Sequence, residues 1–336
     1  MATPLTIIVP TYNVEQFLPQ CLSSIQKQAF QDFECLIIDD GSNDQSIQIS
    51  SSFCANDNRF HLIKCQHHSL ANVQNVGLQH AHGEYITFCD GDDFVSSTGY
   101  QKVMDIAIQQ HPDLIISNFC KYYNDTKHEV SNLNMPTFMN QASLISKFPQ
   151  LYQQNFMFYD WNKIYKRSLI NETRFQNLTV GLDTIFNYEL FQRCQSLIFN
   201  SEQYYFYRQR LGSLVNHYDP QRLKIRKLET AALSQLLKQW HVNYREKLLT
   251  RDWFSSLSLC IKNLYLPDSP LSPTQRLKLI HHLLEECLPH INNNYLTPDK
   301  ETAITNWQNL KNDSVLQQKW QKINAKYFHT NVVNND

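Results

Sequence analysis

The sequence predicts an α/β protein in which a doubly wound sheet is followed by an α-helical domain. Two observations predict this fold class. Short apolar runs alternate with amphipathic stretches over the first 120 residues, and helix-start signals replace that pattern from about Asp219. With 336 residues, 42% of them hydrophobic and 18% charged, the chain is long enough for two folded domains. We expect these domains to span residues 1–217 and 218–336.

The N-terminal region is predicted to form a parallel sheet. Continuous apolar strands that are joined by helices indicate a parallel sheet covered on both faces. In such sheets, ligands bind at the carboxyl ends of the strands. The strands are expected at Leu5–Val9, Phe33–Ile38, Phe60–Lys64, Tyr85–Phe88 and Leu114–Ser117, and the helices at Glu15–Ala29, Asp44–Cys54, Ala71–Ala81 and Gly99–Gln110.

The C-terminal region carries signals for helices only. Asp219-Pro220, Ser272-Pro273 and Thr297-Pro298 each place a capping side chain before a proline, which is the pattern of a helix start. Tyr244–Tyr265 has apolar residues at helical spacing and predicts a further helix.

Composition excludes several classes of protein. Only 7 residues are glycine, and no two stand close enough to form a G-x-G-x-x-G fingerprint or a P-loop. A phosphorylated ligand would therefore need a metal, side chains or helix-start amides. The net charge of −1 argues against a nucleic-acid partner. Nine cysteines without a C-x-x-C pair, no signal peptide and no long apolar run predict a cytoplasmic protein with reduced thiols.

The strongest chemical signal is Asp90-Gly91-Asp92-Asp93, which directly follows a predicted strand. Crowded carboxylates are unfavourable unless a cation lies among them, and Mg²⁺ or Mn²⁺ favours carboxylate oxygen. Such a metal could hold a diphosphate; the alternative is an acidic surface turn. Asp39-Asp40-Gly41-Ser42 and Thr11-Tyr12-Asn13 follow two other strands, where they could contact a ribose and a base.

Several motifs in order along the chain carry a family resemblance. Together they resemble the family 2 inverting glycosyltransferases with a GT-A fold, which build bacterial polysaccharides and surface glycans, and whose sheet is mixed. The last 120 residues are not covered. The motifs are I-V-P-T-Y-N (Ile8–Asn13), I-I-D-D-G-S-N-D (Ile37–Asp44), N-V-G-L (Asn75–Leu78), A-H-G-E-Y-I (Ala81–Ile86) and F-C-D-G-D-D (Phe88–Asp93), and later W-N-K-I-Y-K-R-S-L-I (Trp161–Ile170), G-L-D-T-I-F-N (Gly181–Asn187) and Y-Y-F-Y-R-Q-R-L-G-S-L (Tyr204–Leu214).

The resemblance implies a role for each matching residue. It implies that the uracil of a UDP-sugar is surrounded by Pro10, Thr11, Tyr12 and Asp40, with Asp39 supporting the strand end and Asp90 on the ribose side. Asp92, with Asp93 beside it, would coordinate the Mn²⁺ or Mg²⁺ that bridges the phosphates. Asp183 would deprotonate the acceptor hydroxyl, and Arg208 and Ser213 would close over the diphosphate.

The implied activity is metal-dependent, inverting transfer of a hexose or N-acetylhexosamine from a UDP-sugar to a hydroxyl of a glycan or lipid-linked acceptor. This chemistry belongs to bacterial polysaccharide, capsule or lipooligosaccharide synthesis. Two positions depart from the family pattern: Leu182 replaces an acidic residue, and Gln74 replaces an arginine. They keep open a weak or silent sugar-nucleotide-binding protein as an alternative. A nucleotidyltransferase is the other alternative, although it normally needs a glycine-rich loop.

Three further groups of residues leave alternatives open. Trp161, Asn162 and Lys163 could line the acceptor side, and Trp161 could equally anchor the core. The histidines at 67, 68, 80 and 82 could be metal ligands, although helix-end or surface positions are the simpler interpretation. The basic run of Arg222, Lys224, Arg226 and Lys227 is either a solvated helix face or a peripheral contact with the inner face of the membrane.

Overall fold

The structure is a computed structural model that describes residues 4–210 and 216–329. The chain divides into two compact units, Met1–Gln209 and Arg210–Asp336. The first unit contains a sheet with helices between its strands, and the second contains helices. All nine cysteines are free thiols, and seven of them are buried.

The N-terminal unit is built on a ten-stranded sheet. The strand order is β3-β2-β1-β4-β9-β6-β10-β5, with β7 paired to β6 and β8 paired to β10. The strands are β1 (Leu5–Thr11), β2 (Phe33–Asp39), β3 (Phe60–Lys64), β4 (Tyr85–Phe88), β5 (Phe94–Val95), β6 (Leu114–Asn124), β7 (Lys127–Val130), β8 (Phe138–Asn140), β9 (Lys163–Lys166) and β10 (Ser196–Arg208).

The sheet is mixed, as the family resemblance implies. Strands β3, β2, β1 and β4 are parallel, and so are β6 and β10. Strand β9 lies between β4 and β6 and is antiparallel to both. All residues of β1 are buried, which explains why its apolar run is continuous rather than alternating.

Seven helices lie in the described part of the N-terminal unit: α1 (Leu18–Gln26), α2 (Ser46–Asn56), α3 (Leu70–His80), α4 (Gly99–Gln110), α5 (Gln141–Gln153), α6 (Arg167–Ile170) and α7 (Leu182–Phe191). The first helix is shorter than the predicted Glu15–Ala29. It starts at Leu18 because Pro19 fits only the first turn of a helix. The strand predicted at Leu114–Ser117 continues to Asn124, and α4 has the predicted bounds.

The C-terminal unit contains α8 (Arg222–Gln239), α9 (Arg245–Asn263), α10 (Pro273–Cys287), α11 (Pro298–Gln308) and α12 (Ser314–His329). Ser272 caps α10 as predicted, in a capping box with Gln275. Thr297 is the N-cap residue of α11 but makes no side-chain capping bond. The predicted start at Asp219-Pro220 is wrong by two residues, because the Asp219 carboxylate accepts a hydrogen bond from the N–H of Gln221 and forms a turn before α8.

The basic run at the start of α8 is only partly available to a surface. Arg226 is bound to Glu229 and Asp252, and Lys227 to Glu286, whereas Lys224 is exposed. In the described parts of the chain, none of the helices combines the length and the apolar character needed to cross a membrane.

Candidate functional site

The carboxyl ends of β1 and β2 form one edge of the site. The N–H of Asp40 donates to the carbonyl of Thr11 at 2.9 Å, and both residues are buried. Asp39 accepts hydrogen bonds from the N–H groups of Gly41 and Ser42 at 3.0 and 2.9 Å and from the Ser42 hydroxyl at 2.6 Å. Gly41 has a φ of +78°, which explains the glycine at this turn. Asp39 therefore holds the turn that follows β2.

Tyr12 and Asp40 meet a histidine at this edge. The Tyr12 side chain is 44% exposed, and its ring stacks on that of His67 with centroids 4.3 Å apart. The Nδ1 of His67 lies 2.8 Å from an Asp40 carboxylate oxygen, and the N–H of His68 donates to the other oxygen at 3.1 Å. The sequence leaves metal ligation and a surface position open for His67, and its side chain is 56% exposed. Its place beside Tyr12 and Asp40 follows from its position after the carboxyl end of β3.

The acidic motif follows β4 and approaches β1 closely. The N–H of Gly91 donates to the carbonyl of Pro10 at 3.2 Å, and a Cβ at position 91 would lie 3.0 Å from that oxygen. Carboxylate oxygens of Asp90, Asp92 and Asp93 all lie within 4.8 Å of one another. The structure therefore brings the three carboxylates together beside the end of β1, and they could hold a metal ion.

Asp93 is the buried member of the cluster, and β10 holds it in place. The Tyr205 hydroxyl donates to one carboxylate oxygen at 2.7 Å, and the N–H of Arg208 donates to the other at 2.7 Å. Burial, followed by the negative charges of Asp92 and Asp90, raises the pKa of Asp93 well above its usual range. Asp90 and Asp92 are less buried than Asp93 and so offer the more accessible oxygens of the cluster.

Arg208 lies beside the acidic motif among aromatic rings. Its Nε donates to the carbonyl of Asp92 at 2.8 Å, and its Nη2 donates to Gln20 at 2.6 Å. Its guanidinium carbon lies 5.0–5.3 Å from the centroids of the rings of Phe17, Phe94 and Tyr122. Ser213, which the sequence places in the same closing segment, lies outside the described residues.

Asp183 lies in the first turn of α7 and is partly exposed. Gly181, with a φ of +75°, is the N-cap residue of this helix, and a helix N-terminus favours a nearby negative charge. Leu182 is buried at 2% exposure, so the departure from the family pattern at this position adds to the core. Asp183 is close enough to Asp160 and Lys163 for its charge to influence both.

Trp161 anchors the core rather than lining an open surface. Its ring stacks on those of Tyr159 and Tyr205, each with a centroid distance of 4.5 Å. Asn162 and Lys163 are also fully buried. The Trp161 stack therefore connects the segment before β9 with the strand that holds Asp93.

Gln74 is buried in α3 and points into the protein. Its Nε2 donates to a carboxylate oxygen of Asp160 at 2.6 Å. Asp160 and Tyr205 are buried polar residues next to the candidate site that sequence reasoning did not assign to it. Their hydrogen-bond partners, Gln74 and Asp93, lie far away along the chain, so no local pattern identifies them.

The mixed sheet with an acidic cluster after β4 is the arrangement of the GT-A fold. The model of glycosyl transferase family 2 matches residues 6–174, and the chain belongs to this family.

Three relatives show the extent of the sequence similarity. The chain is 29% identical over 213 residues to the uncharacterized glycosyltransferase EpsJ of Bacillus subtilis, a match that covers 62% of each chain. It is 29% identical over 224 residues to the putative glycosyltransferase EpsH of the same organism, covering 65% of this chain and 64% of that one. It is 28% identical over 216 residues to glycosyltransferase GlyA of Streptococcus pneumoniae, covering 62% of this chain and 31% of that one. The chain thus spans less than two thirds of the length of each of these relatives.

Two solved structures share the fold. Residues 1–349 of TarS from S. aureus, in complex with UDP-GlcNAc, match with a TM-score of 0.68 and 17% identity, covering 99% of this chain and 94% of that one. The mannosyltransferase PcManGT from Pyrobaculum calidifontis, in complex with GDP-Man and Mn²⁺, matches with a TM-score of 0.52 and 13% identity. This match covers 95% of this chain and 88% of that one. At these identities, the likeness confirms the fold alone.

Proposed function

We propose that this protein is a metal-dependent inverting glycosyltransferase. It would move a hexose or N-acetylhexosamine from a UDP-sugar to a hydroxyl of a glycan or lipid-linked acceptor in bacterial polysaccharide, capsule or lipooligosaccharide synthesis. The observation that carries the proposal is the cluster of Asp90, Asp92 and Asp93, whose carboxylate oxygens lie within 4.8 Å of one another at the carboxyl ends of the strands. Family membership supports the reaction class.

The cluster fits a hard divalent cation. All of its donor atoms are carboxylate oxygens, the ligands that Mg²⁺ and Mn²⁺ favour. Asp92 and Asp93 would hold the metal with Asp90 beside them on the ribose side, and the Tyr205 hydroxyl would fix the Asp93 carboxylate. When bound, the metal would neutralise negative charge on the diphosphate of the donor. Arg208 would add a positive charge at the same place, and we assign Ser213 to this closing segment from the sequence alone.

The ends of β1 and β2 would bind the nucleoside. Pro10, Thr11, Tyr12 and Asp40 would surround the base, and Asp39 would hold the turn beside them. His67 covers one face of Tyr12 and pairs with Asp40, so a base that bound there would have to displace it. TarS was solved with UDP-GlcNAc and PcManGT with GDP-Man, so the fold accommodates either base.

Asp183 would act as the general base. Its carboxylate would accept the proton of the acceptor hydroxyl as the oxygen attacks the anomeric carbon and the bond from that carbon to the diphosphate breaks. A single displacement inverts the configuration, so an α-linked donor gives a β-linked product. The N-terminus of α7 supports this role because it favours the ionised form of a carboxylate in the first turn.

The remaining assignments rest on the sequence. We propose residues 1–217 as the transferase domain, residues 218–336 as a helical domain and the cytoplasm as the location. Peripheral contact of the basic α8 region with the membrane would depend mainly on Arg222 and Lys224, because Arg226 and Lys227 form ion pairs within the helical unit.

A thermal-shift panel with UDP-, GDP- and CDP-sugars, each with and without Mn²⁺, tests the donor proposal. A ligand that binds only the native state stabilises it by mass action. We expect a UDP-sugar to raise the melting temperature most, and only when Mn²⁺ is present. A larger shift with a GDP- or CDP-sugar would overturn the assignment of the base.

A catalytically silent sugar-nucleotide-binding protein is the second candidate. The inward direction of Gln74 favours it, because this side chain contacts Asp160 instead of facing a phosphate. Release of UDP from the donor that binds, in the absence of acceptor, separates the two candidates. A transferase releases UDP by slow hydrolysis of the donor, and a silent binder releases none.

A further inference from the structure

Asp160, in the loop before β9, is a buried carboxyl group with only a neutral side-chain donor. It is 1% exposed. Among the residues that the structure describes, the one side-chain donor to its carboxyl is the amide of Gln74, at 2.6 Å. No ion-pair partner of Asp160 lies within 4.0 Å in this part of the chain. The backbone N–H groups of Asp160 and Trp161 also donate to this carboxyl. A buried carboxylate that has no ion-pair partner in contact with it is costly, and such a group takes up a proton instead.

The nearest cation does not neutralise Asp160 directly. The Nζ of Lys163 donates to the carbonyls of Phe156, at 2.8 Å, and Tyr159, and to the side-chain oxygen of Asn162 at 2.8 Å. These three acceptors account for the three N–H bonds of an ammonium group. Burial lowers the pKa of Lys163 to about 7, against the opposing influence of Asp160 and Asp183.

Helix α7 is fixed against the Asp160 segment. Asn187, one turn after Asp183, is fully buried. Its amide nitrogen donates to the carbonyls of Met157 and Tyr159, both at 3.0 Å, and its oxygen accepts from the Tyr165 hydroxyl at 2.8 Å. These bonds hold the first turn of α7, and so Asp183, close to Asp160. Burial, and then the negative charge of Asp183, raises the pKa of Asp160 well above its usual range.

A buried acceptor next to Asp160 lacks a donor. The second amide atom of Gln74, Oε1, is buried and has no hydrogen-bond donor among the described residues. The carboxylate of Asp183 adds further acceptor oxygens nearby. A protonated Asp160 would supply a hydrogen-bond donor in this group of acceptors. An ionised Asp160 would add only another acceptor and a second negative charge.

We propose that Asp160 is a neutral carboxylic acid at the pH of transfer and is a positioning residue for Asp183. The carboxyl groups of Asp160 and Asp183 together carry one proton. This proton is on Asp160 because Asp160 is the more buried of the two and therefore the costlier to ionise. The negative charge is therefore confined to Asp183, which is the less buried of the two residues. This inference rests on the proposed role of Asp183 as the base. During transfer the proton of the acceptor goes to Asp183, and the proton on Asp160 stays in place.

Infrared difference spectroscopy of wild type against Asp160→Asn tests the protonation state without an activity assay. At neutral pH we expect the C=O stretch of a protonated carboxylic acid to be lost in Asp160→Asn. Asp105→Asn, which removes an exposed carboxylate on α4, is the matched control and should lose only a carboxylate band. In Asp183→Asn, the band of Asp160 should disappear at lower pH than in wild type, because the neighbouring charge is gone. A carboxylate band for Asp160 at neutral pH would overturn the proposal.

The pH dependence of kcat/KM for transfer gives the second test. Asn is a neutral isostere of a protonated Asp, so Asp160→Asn should keep the acidic limb of the profile at its wild-type position. A shifted acidic limb would mean that Asp160 is ionised in the working enzyme and would contradict the proposal.

Two controls separate the possible failures. If Asp160→Asn does not fold, NMR of wild-type protein labelled at the aspartate carboxyl carbons replaces it, and must show an aspartate that remains protonated at neutral pH. If wild type transfers no sugar, or if Asp183→Asn is fully active, the proposed function fails, whereas the spectroscopic result on Asp160 still stands.

Discussion

The two units of this protein handle buried charge in opposite ways. In the helical unit, Arg226 binds Glu229 at 2.5 Å and Asp252 at 3.1 Å, and Arg276 binds Asp313 at 2.5 Å. In the sheet unit, the buried Asp93 is held by a hydroxyl and a backbone N–H, and further carboxylates crowd around it. Charges that are matched within the protein hold helices together. Crowded carboxylates instead favour a bound cation.

The difference gives the two kinds of cluster opposite effects on stability. Breaking a buried ion pair leaves one charge uncompensated, which is strongly destabilising. Removing one carboxylate from a crowded group relieves electrostatic repulsion in the free protein, so stability is kept or increased. The cost is weaker binding of the ligand. Mutations in the two units should therefore divide cleanly into losses of stability and losses of function.

The largest effect is expected for Asp92→Asn. Because a bound metal contributes several kcal/mol to transition-state stabilisation, sugar transfer with Mn²⁺ should fall by roughly 10³-fold or more. Without metal, the melting temperature should equal or exceed that of wild type. Turnover assays and thermal melts with and without Mn²⁺ measure both quantities. Near-normal turnover of Asp92→Asn would show that catalysis does not depend on a metal bound at this cluster.

Asp183→Asn should separate binding from chemistry. Loss of a general base lowers the rate by roughly 10²-fold or more, while the donor should still raise the melting temperature as it does in wild type. The measurement is single-turnover transfer beside the thermal shift with donor and Mn²⁺. An unchanged rate would place the base elsewhere, and a lost thermal shift would indicate a role in donor binding.

The helical unit should respond to a mutation in stability. Arg226→Met leaves Glu229 and Asp252 buried without their cation and should reduce the free energy of unfolding by about 3–5 kcal/mol. The matched control is Lys224→Ala on the same helix, whose exposed side chain should change stability by less than about 0.5 kcal/mol. Urea denaturation of both variants makes the comparison. Equal stabilities would mean that the Arg226 cluster does not hold the unit together.

The smallest effect is expected for Asp160→Asn, in the way its melting temperature relative to wild type changes with pH. Burial and the charge of Asp183 raise the pKa of Asp160 in the folded protein, so its contribution to stability is complete below its unfolded pKa of about 3.9. That contribution is lost as the pH rises through the folded pKa. Asn cannot ionise, so the melting temperature of the variant relative to wild type should increase with pH by a few degrees. A difference that is constant with pH would contradict the raised pKa.

Much of the N-terminal sheet could be predicted from the sequence because its signals are local. Strands β1 to β4 are apolar runs, and a short motif follows three of them at the sheet edge. The inserted strand β9 could not be predicted, because Lys163–Lys166 has two lysines and only its pairing with β4 and β6 makes it a strand.

The site residues divide in the same way. Asp90, Asp92 and Asp93 are adjacent in sequence, so their clustering could be predicted. The side-chain hydrogen bond of Asp160 comes from Gln74, which is 86 residues away along the chain, so its environment could not be predicted. His67 belongs to a group of histidines without a distinctive spacing, and only the fold brings it to Tyr12.

The position of strand β9 in the sheet also affects the order in which the N-terminal unit can fold during synthesis. Strand β4 has β1 as its neighbour early, but gains its second neighbour only when residues 163–166 have left the ribosome. The two donors to Asp93 lie 112 and 115 residues after it. Contacts of such long sequence separation form late and slow folding. The acidic motif therefore stays incomplete until β10 has been translated, and a fragment that ended before Arg208 would contain the carboxylates without the strand that orders them.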